Sequence, residues 1–274
     1  MATTYARELI ATRELLLNLT MREVKGQYRR TVLGQLWSII NPLATMLVYT
    51  LVFSFLLRVP PPPGDPSGLD IYALWLMCGL LPWTYFTRIV NGGVASITSN
   101  AGLIKKVYFP RMHLPLSVTL STGITFGVEI GVLTIALWIF GGFPLPWLPL
   151  VLVAVVILAM FGTGLAMMLA IVNVHFRDTQ HFVSILLPMW MFLTPIIYPF
   201  SLVESAAEKS GQWVVTVFQL NPMLHIVQVF RALLYDNTFP GPLDWLAAVV
   251  AASVVFALGY LTFSRHERRL AELL

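Results

Sequence analysis

The chain has 274 residues, of which 57% are hydrophobic and 11% charged, with a mean hydropathy of +0.78 and a formal net charge of +4. An average soluble domain carries roughly 25% charged residues. So few charges cannot cover a water-facing surface, so the main solvent is lipid and an ordinary soluble fold is excluded. The single cysteine, Cys78, lies inside an apolar run. That excludes a disulfide framework and a thiolate metal cluster.

In chain order, residues 1–31 come first. They mix Arg, Glu and Leu and lack the compact apolar core and small-residue cleavage site of a signal peptide. Ala6, Ile10, Leu17, Met21 and Val24, joined by Leu9 and Leu16, recur at helical spacing with charges largely around the stripe. This predicts an amphipathic helix lying in a membrane interface, or packed on a partner protein. A membrane helix needs about 20 mainly apolar residues. Runs at 36–57, 71–95, 116–140, 148–172 and 245–263 meet that length. A further run at 182–200 contains Pro188, Pro195 and Pro199, and is expected as a kinked fifth span, which makes six. The expected fold is an all-α membrane domain over 32–265 with a tail at 266–274. Residues 60–66 form a stiff proline turn, and 141–149 another tight connection. Between spans five and six, apolar stretches at 213–220 and 223–235 are split by Asn221-Pro222. Each is too short to cross, which predicts a re-entrant or interfacial helix pair in 213–235.

With six spans, 13 of the 17 basic residues fall on one side. They precede span one, lie in the loops between spans two and three and between four and five, and follow span six. The positive-inside rule makes that side, and both termini, cytoplasmic. The basic balance therefore reads as topology. It does not indicate nucleic acid, because no soluble segment holds a basic groove with interleaved aromatics.

Catalytic motifs are missing from the sequence. No G-x-x-x-x-G-K-[ST], H-E-x-x-H or G-x-S-x-G occurs, and the five histidines are dispersed. We expect no catalytic residue and no metal site. Two charges interrupt the spans: Arg88 in span two and Glu129 in span three. Each lies about 20 Å from the cytoplasmic end at about 1.5 Å per residue. A lone charge at mid-bilayer costs about 2.5–3.5 kcal/mol. Opposite charges at matching depth on consecutive antiparallel helices predict a pair or a shared polar cavity. Trp83, Tyr85, Phe86, Trp190 and Phe192 fall away from the span ends, and Tyr198 lies near one. They are candidate lining for a sugar channel, where rings stack on sugar faces, or else ordinary packing.

Four blocks then resemble a known family. They are MREVKGQYRRTVLGQLWSIINPL at 21–43, SNAGLIKKVYFPRMHLPLS at 99–117, NVHFRDTQH at 173–181 with TPIIYP at 194–199, and LNPM at 220–223 followed by Phe230-Arg231. Together, and in this order, they resemble the permeases of type-2 ABC transporters that export O-antigen, teichoic acid or capsule chains. The resemblance covers nearly the whole chain. It implies a bacterial inner-membrane permease that forms a channel with a second copy of itself. It also implies two copies of a separate ATPase that binds the ATP and magnesium, with no cofactor on this chain, and a lipid-linked glycan as substrate. Loops at 100–115 and 173–181 would couple to the ATPase through Lys105, Lys106, Tyr108, Phe109, Arg111, His175, Phe176, Arg177 and Asp178. The alternative occupation of those charges is lipid phosphate, and Arg177 and Asp178 also stand as a possible local pair. A type-2 exporter of small lipids or drugs is the competing reading. A secondary transporter would need a spread of intramembrane acids or a repeat between halves, and the sequence has neither.

Overall fold

The computed structural model describes residues 12–27, 31–56 and 62–267. The predicted contributions of Ala6, Leu9 and Ile10 to the amphipathic stripe, and most of the 266–274 tail, lie outside them. Helices are the regular structure of the described residues, with no strand among them. Helix α1 is Arg13–Gln27, α2 is Trp37–Tyr49, and α2 runs on through a π-helical stretch, Thr50–Leu56. Helices α3 (Tyr72–Ser99), α4 (Ala101–Ile104), α5 (His113–Ile139) and α6 (Leu148–His175) follow. Then come α7 (Thr179–Leu193), α8 (Ser201–Ser210), α9 (Trp213–Gln219), α10 (Pro222–Arg231, extended by Ala232–Asp236) and α11 (Pro242–His266). Five segments among the described residues are long and apolar enough to cross a membrane: Gly34–Leu56, Tyr72–Ser99, His113–Ile139, Leu145–His175 and Pro242–His266; the bent pair Trp213–Gln219 and Pro222–Asp236 makes a sixth if it counts as one broken span.

Helix α3 is the axis of the bundle, with 78% of its most apolar window buried. Leu76, Met77, Phe86, Ile89, Val90 and Val94 are inaccessible, packed against α5, α6 and α10. Helix α11 joins through α6 by backbone contact, Gly164 lying directly beneath Gly259. Small residues of this kind let membrane helices approach closely where no water-driven force pulls them together. A second apolar cluster, including Leu19, Ile97, Phe109, Met112, Met167 and Phe263, gathers the helix ends beside the basic loops. Helix α2 is the least covered, with 6% of its window buried. It leans on α3 and α5, and Phe53 stacks on Tyr72 at 4.7 Å.

One expectation needs correcting. The run at 182–200 is not one kinked span. Helix α7 starts at Thr179 and stops at Leu193; its 15 residues reach about 22 Å, short of a hydrocarbon core of about 30 Å. It stops because Pro195 forces Thr194 out of the helical region, to φ −107° and ψ 117°. The freed polar groups are satisfied from elsewhere. Asn221 Nδ2 donates to Leu193 O (3.1 Å) and Thr194 Oγ1 (2.8 Å). Arg231 donates to Pro195 O (2.9 Å) and Ile196 O (2.6 Å) while its guanidinium lies 3.7 Å over the Trp75 ring. The amphipathic stripe of α1 is divided between two surroundings. Helix α1 turns Leu19, Thr20 and Val24 inward against α5, and leaves Leu17 and Met21 exposed. His113 and Thr125 of α5 hydrogen-bond Thr12 (2.9 Å) and Gln27 (3.3 Å) at its two ends.

The split at Asn221-Pro222 is where the sequence puts it. Asn221 caps α10 by accepting from Met223 N–H (3.1 Å), with Pro222 as first residue. Helices α9 and α10 meet at a bend of 74°. His225 fixes the corner, its ring bonded to Asp244 Oδ1 (2.7 Å) and Gln219 O (2.8 Å).

Candidate functional site

Residues 88, 91, 92, 95, 96 and 99 of α3 recur at spacings of three and four, and so share one face. Residues 118, 121, 122, 125 and 129 do the same on α5. The two helices run antiparallel, so the two faces meet. Glu23 and Gln27 of α1 and Ser38 and Asn41 of α2 close the other walls. The result is a cleft of about 590 Å³ whose lining is polar except for Gly92, Ala95 and Val118. Arg88 and Glu129 stand at its inner end, Arg88 Nη1 donating to Glu129 Oε1 at 2.8 Å. The Glu129 side chain is 2% exposed and that of Arg88 35%. Both predicted alternatives hold together: the charges pair, and they face one polar cavity. Glu129 Oε2 is buried without a partner among the described residues. Most hydroxyls here donate to their own helix, as Ser121 does to Val118 O (3.0 Å) and Ser99 to Ala95 O (2.7 Å). Their lone pairs are left for the cavity. Sequence reasoning found only the two charges; the signal it passed over was the three-four spacing of hydroxyls and amides on two consecutive spans.

The predicted loop residues divide sharply. Tyr108 is 90% exposed, Phe176 70% and Val107 52%. Lys105, Lys106, His175, Arg177 and Asp178 are exposed too. Phe109 and Arg111 are corrections. Phe109 is 5% exposed and roots the loop in the second apolar cluster. Arg111 donates to Glu267 through both its backbone N–H and its guanidinium, and so ties the loop to the end of α11. Phe109 is thus turned inward, and Arg111 is half-exposed. Arg177 and Asp178 form no ion pair with each other among the described residues. His175 Nδ1 bonds Ile171 O (2.9 Å), closing α6, and Asn173 Nδ2 ties that helix to Val94 O of α3 (3.0 Å). The two loops are thus outward aromatic tips on stems fixed to the bundle.

The aromatic set needs the largest correction. Trp83, Tyr85 and Phe86 are at most 4% exposed. Tyr85 stacks on Phe126 at 4.5 Å, and Phe86 packs on Phe161 and edge-on against Trp190 at 5.3 Å. Enclosed in one protomer, these three rings face neither a channel nor lipid. Trp190 is half-buried, its Nε1 donating to Asn221 Oδ1 (3.0 Å) above a small cavity of about 190 Å³. Phe192 is exposed, and Tyr198 donates to Phe192 O (2.5 Å). Among the described residues no three His, Cys, Asp or Glu side chains gather as metal ligands.

The sequence model of the ABC-2 type transporter family matches residues 14–235. The O-antigen export system permease protein RfbA of Myxococcus xanthus is 35% identical over 91% of this chain and 90% of its own length. The protein of the same name from Klebsiella pneumoniae is 29% identical over 95% of each. The polysialic acid transport protein KpsM of Escherichia coli is 28% identical over 78% of each. With a family match across most of its length and five apolar spans around a buried axis, the chain belongs to the ABC-2 type transporter membrane family.

Proposed function

We propose that this chain is the channel-forming permease of an ATP-driven exporter that carries a lipid-linked polysaccharide, such as O-antigen, across the bacterial inner membrane. The observation that carries the reading is the likeness to O-antigen export permeases over 91% and 95% of the chain. Two copies form the channel, with α2 and the exposed face of α7 between them, since those helices have the least cover from their own protomer. Two ATPase subunits bind the ATP and Mg2+ and dock on the side that carries the basic loops. That side is cytoplasmic, and α1 lies at its interface with Leu17 and Met21 toward lipid.

Coupling follows from how the loops are built. Tyr108 and Phe176 offer rings that a pocket on the ATPase can enclose, as interface aromatics do. Phe109 and Arg111 hold the Tyr108 loop to α11, so a push on the tip reaches the bundle and is not lost in loop motion. Helices α9 and α10 form the re-entrant pair on the outer face, where the polymer leaves. The test is a pull-down of the tagged chain from membranes, with export measured in a deletion strain. The reading expects a co-purifying ATPase and loss of the surface glycan, restored by the wild-type chain but not by Tyr108→Ala/Phe176→Ala. An intact surface glycan in the deletion strain, with no ATPase retained, sinks it.

A further inference from the structure

We infer that the cleft between α3 and α5 is a binding site for the hydroxyl groups of sugar residues, separate from any site for the lipid carrier's phosphate. The inference rests on the glycan-export reading and names what the cleft takes.

The argument is one of donor and acceptor chemistry. A phosphate is a multiply charged acceptor, and its sites are built from N–H donors and cations. This cleft has carboxylates at both ends, and each already matches the cation beside it: Glu23 at the mouth pairs with Arg22 (3.0 Å), which also donates to Asn100 Oδ1 (2.7 Å), and Glu129 at the floor pairs with Arg88 (2.8 Å). A sugar hydroxyl both donates and accepts, and needs a wall that offers both. The wall offers both. Among the described residues, Arg88 Nε and Nη2 and the side-chain amides of Asn41 and Asn91 take no partner. Acceptors come from the lone pairs of Ser121 and from Glu129 Oε2, which is buried and unpartnered. A carboxylate's terminal torsion is broad and two-fold, so a small rotation turns Oε2 toward a ligand. An unpaired buried acceptor is costly to leave unmade, and a hydroxyl satisfies it without adding charge.

Size and apolar content agree. The volume of about 590 Å³ falls within the range of about 300–1,000 Å³ for small-molecule sites. No aromatic ring and only one branched apolar side chain line it. It therefore has no platform for an acyl or polyprenyl chain. It reads the edges of sugars, in contrast to an aromatic channel that would read their faces.

The test uses the chain with its ATPase in proteoliposomes. Cys78, buried and free, is changed to Ala, and Ala95→Cys places one thiol on the cleft wall without touching a proposed ligand. The rate of maleimide alkylation is measured with two probes. One is the host's surface glycan released from its lipid by mild acid; the other is inorganic pyrophosphate. Saturating glycan should slow labelling about tenfold while pyrophosphate leaves it unchanged. Adding Asn91→Leu should raise the glycan concentration needed by about tenfold, the equivalent of one good hydrogen bond. Ser99→Cys at the mouth serves the same purpose if Ala95→Cys does not assemble. Protection by pyrophosphate but not by glycan makes the cleft a head-group site and overturns the inference. No protection by either probe, in vesicles that still export glycan, leaves a water-filled cleft and also overturns it. Wild-type vesicles that export no glycan would overturn the export reading itself, which is a distinguishable result.

Discussion

Replacing Gly259 by alanine should unseat α11 from α6. A methyl group there would stand 2.3 Å from the carbonyl oxygen of Gly164 and 2.7 Å from its Cα. Both neighbours are backbone, so no side chain can swing aside. Ordinary carbon contacts lie at about 3.5–4.0 Å, so the helices must part by about 1 Å, and a gap of that size forfeits roughly a quarter to a half of each contact's dispersion energy. Overpacking of this kind costs about 1–3 kcal/mol, and at roughly 2–4 °C per kcal/mol the purified protein should melt about 2–12 °C lower. Gly131→Ala is the control. Nothing lies within 4 Å of a methyl group there, and alanine gains up to about 1 kcal/mol of helix preference over glycine. Thermal unfolding in one detergent, followed by the loss of the monodisperse peak, compares the two. Gly259→Ala melting at or above Gly131→Ala would refute the backbone-contact argument.

Further outcomes follow from the other contacts. Phe109→Ala empties a buried site and should destabilise by about 3–5 kcal/mol, whereas Tyr108→Ala should change stability by no more than about 0.5 kcal/mol yet weaken capture of the ATPase; equal melting temperatures for the two would contradict their different burial. Arg88→Gln and Glu129→Gln, singly and together, should show a coupling of about 0.5–3 kcal/mol in unfolding, and strict additivity would mean that the 2.8 Å pair does not hold in solution. Arg231→Met removes two charged hydrogen bonds to Pro195 O and Ile196 O, each worth about 1.5–3 kcal/mol. Thermolysin should then cut within 194–200 much faster than in the wild type, and an unchanged cleavage rate would show that the segment is held by something else.

Hydropathy made the five long spans legible, because length and apolarity are what a bilayer demands. Matching depth made Arg88 and Glu129 legible as a pair. The break after Leu193 was harder to read. Three prolines pointed to a disturbed helix, but only Arg231 and Asn221, distant in sequence, make a full stop affordable there. The aromatics were illegible for a deeper reason. In water, an apolar face marks the inside; in lipid, core and surface are equally apolar, so nothing in the spacing of Trp83, Tyr85 and Phe86 separates a channel ring from a packed one. The same holds at the loop tip, where Tyr108 and Phe109 are adjacent and point to opposite fates. The polar faces of α3 and α5 carried a periodic signal that went unread, although hydroxyls aligned on a lipid-embedded helix must face protein or water.

The brevity of α7 has a mechanical consequence. A helix of about 22 Å beside lipid of about 30 Å leaves about 8 Å unmatched. Its far end is followed by the irregular 194–200 segment, whose backbone groups only protein or water can satisfy. The leaflet next to it must therefore thin, or admit head groups and water to that depth, at a fraction of a kcal/mol per Å. Membrane thickness then acts on this one helix more than on the long spans around it. Longer acyl chains would compress it toward the bundle and shorter ones release it, making lipid composition a tuning variable for this short helix.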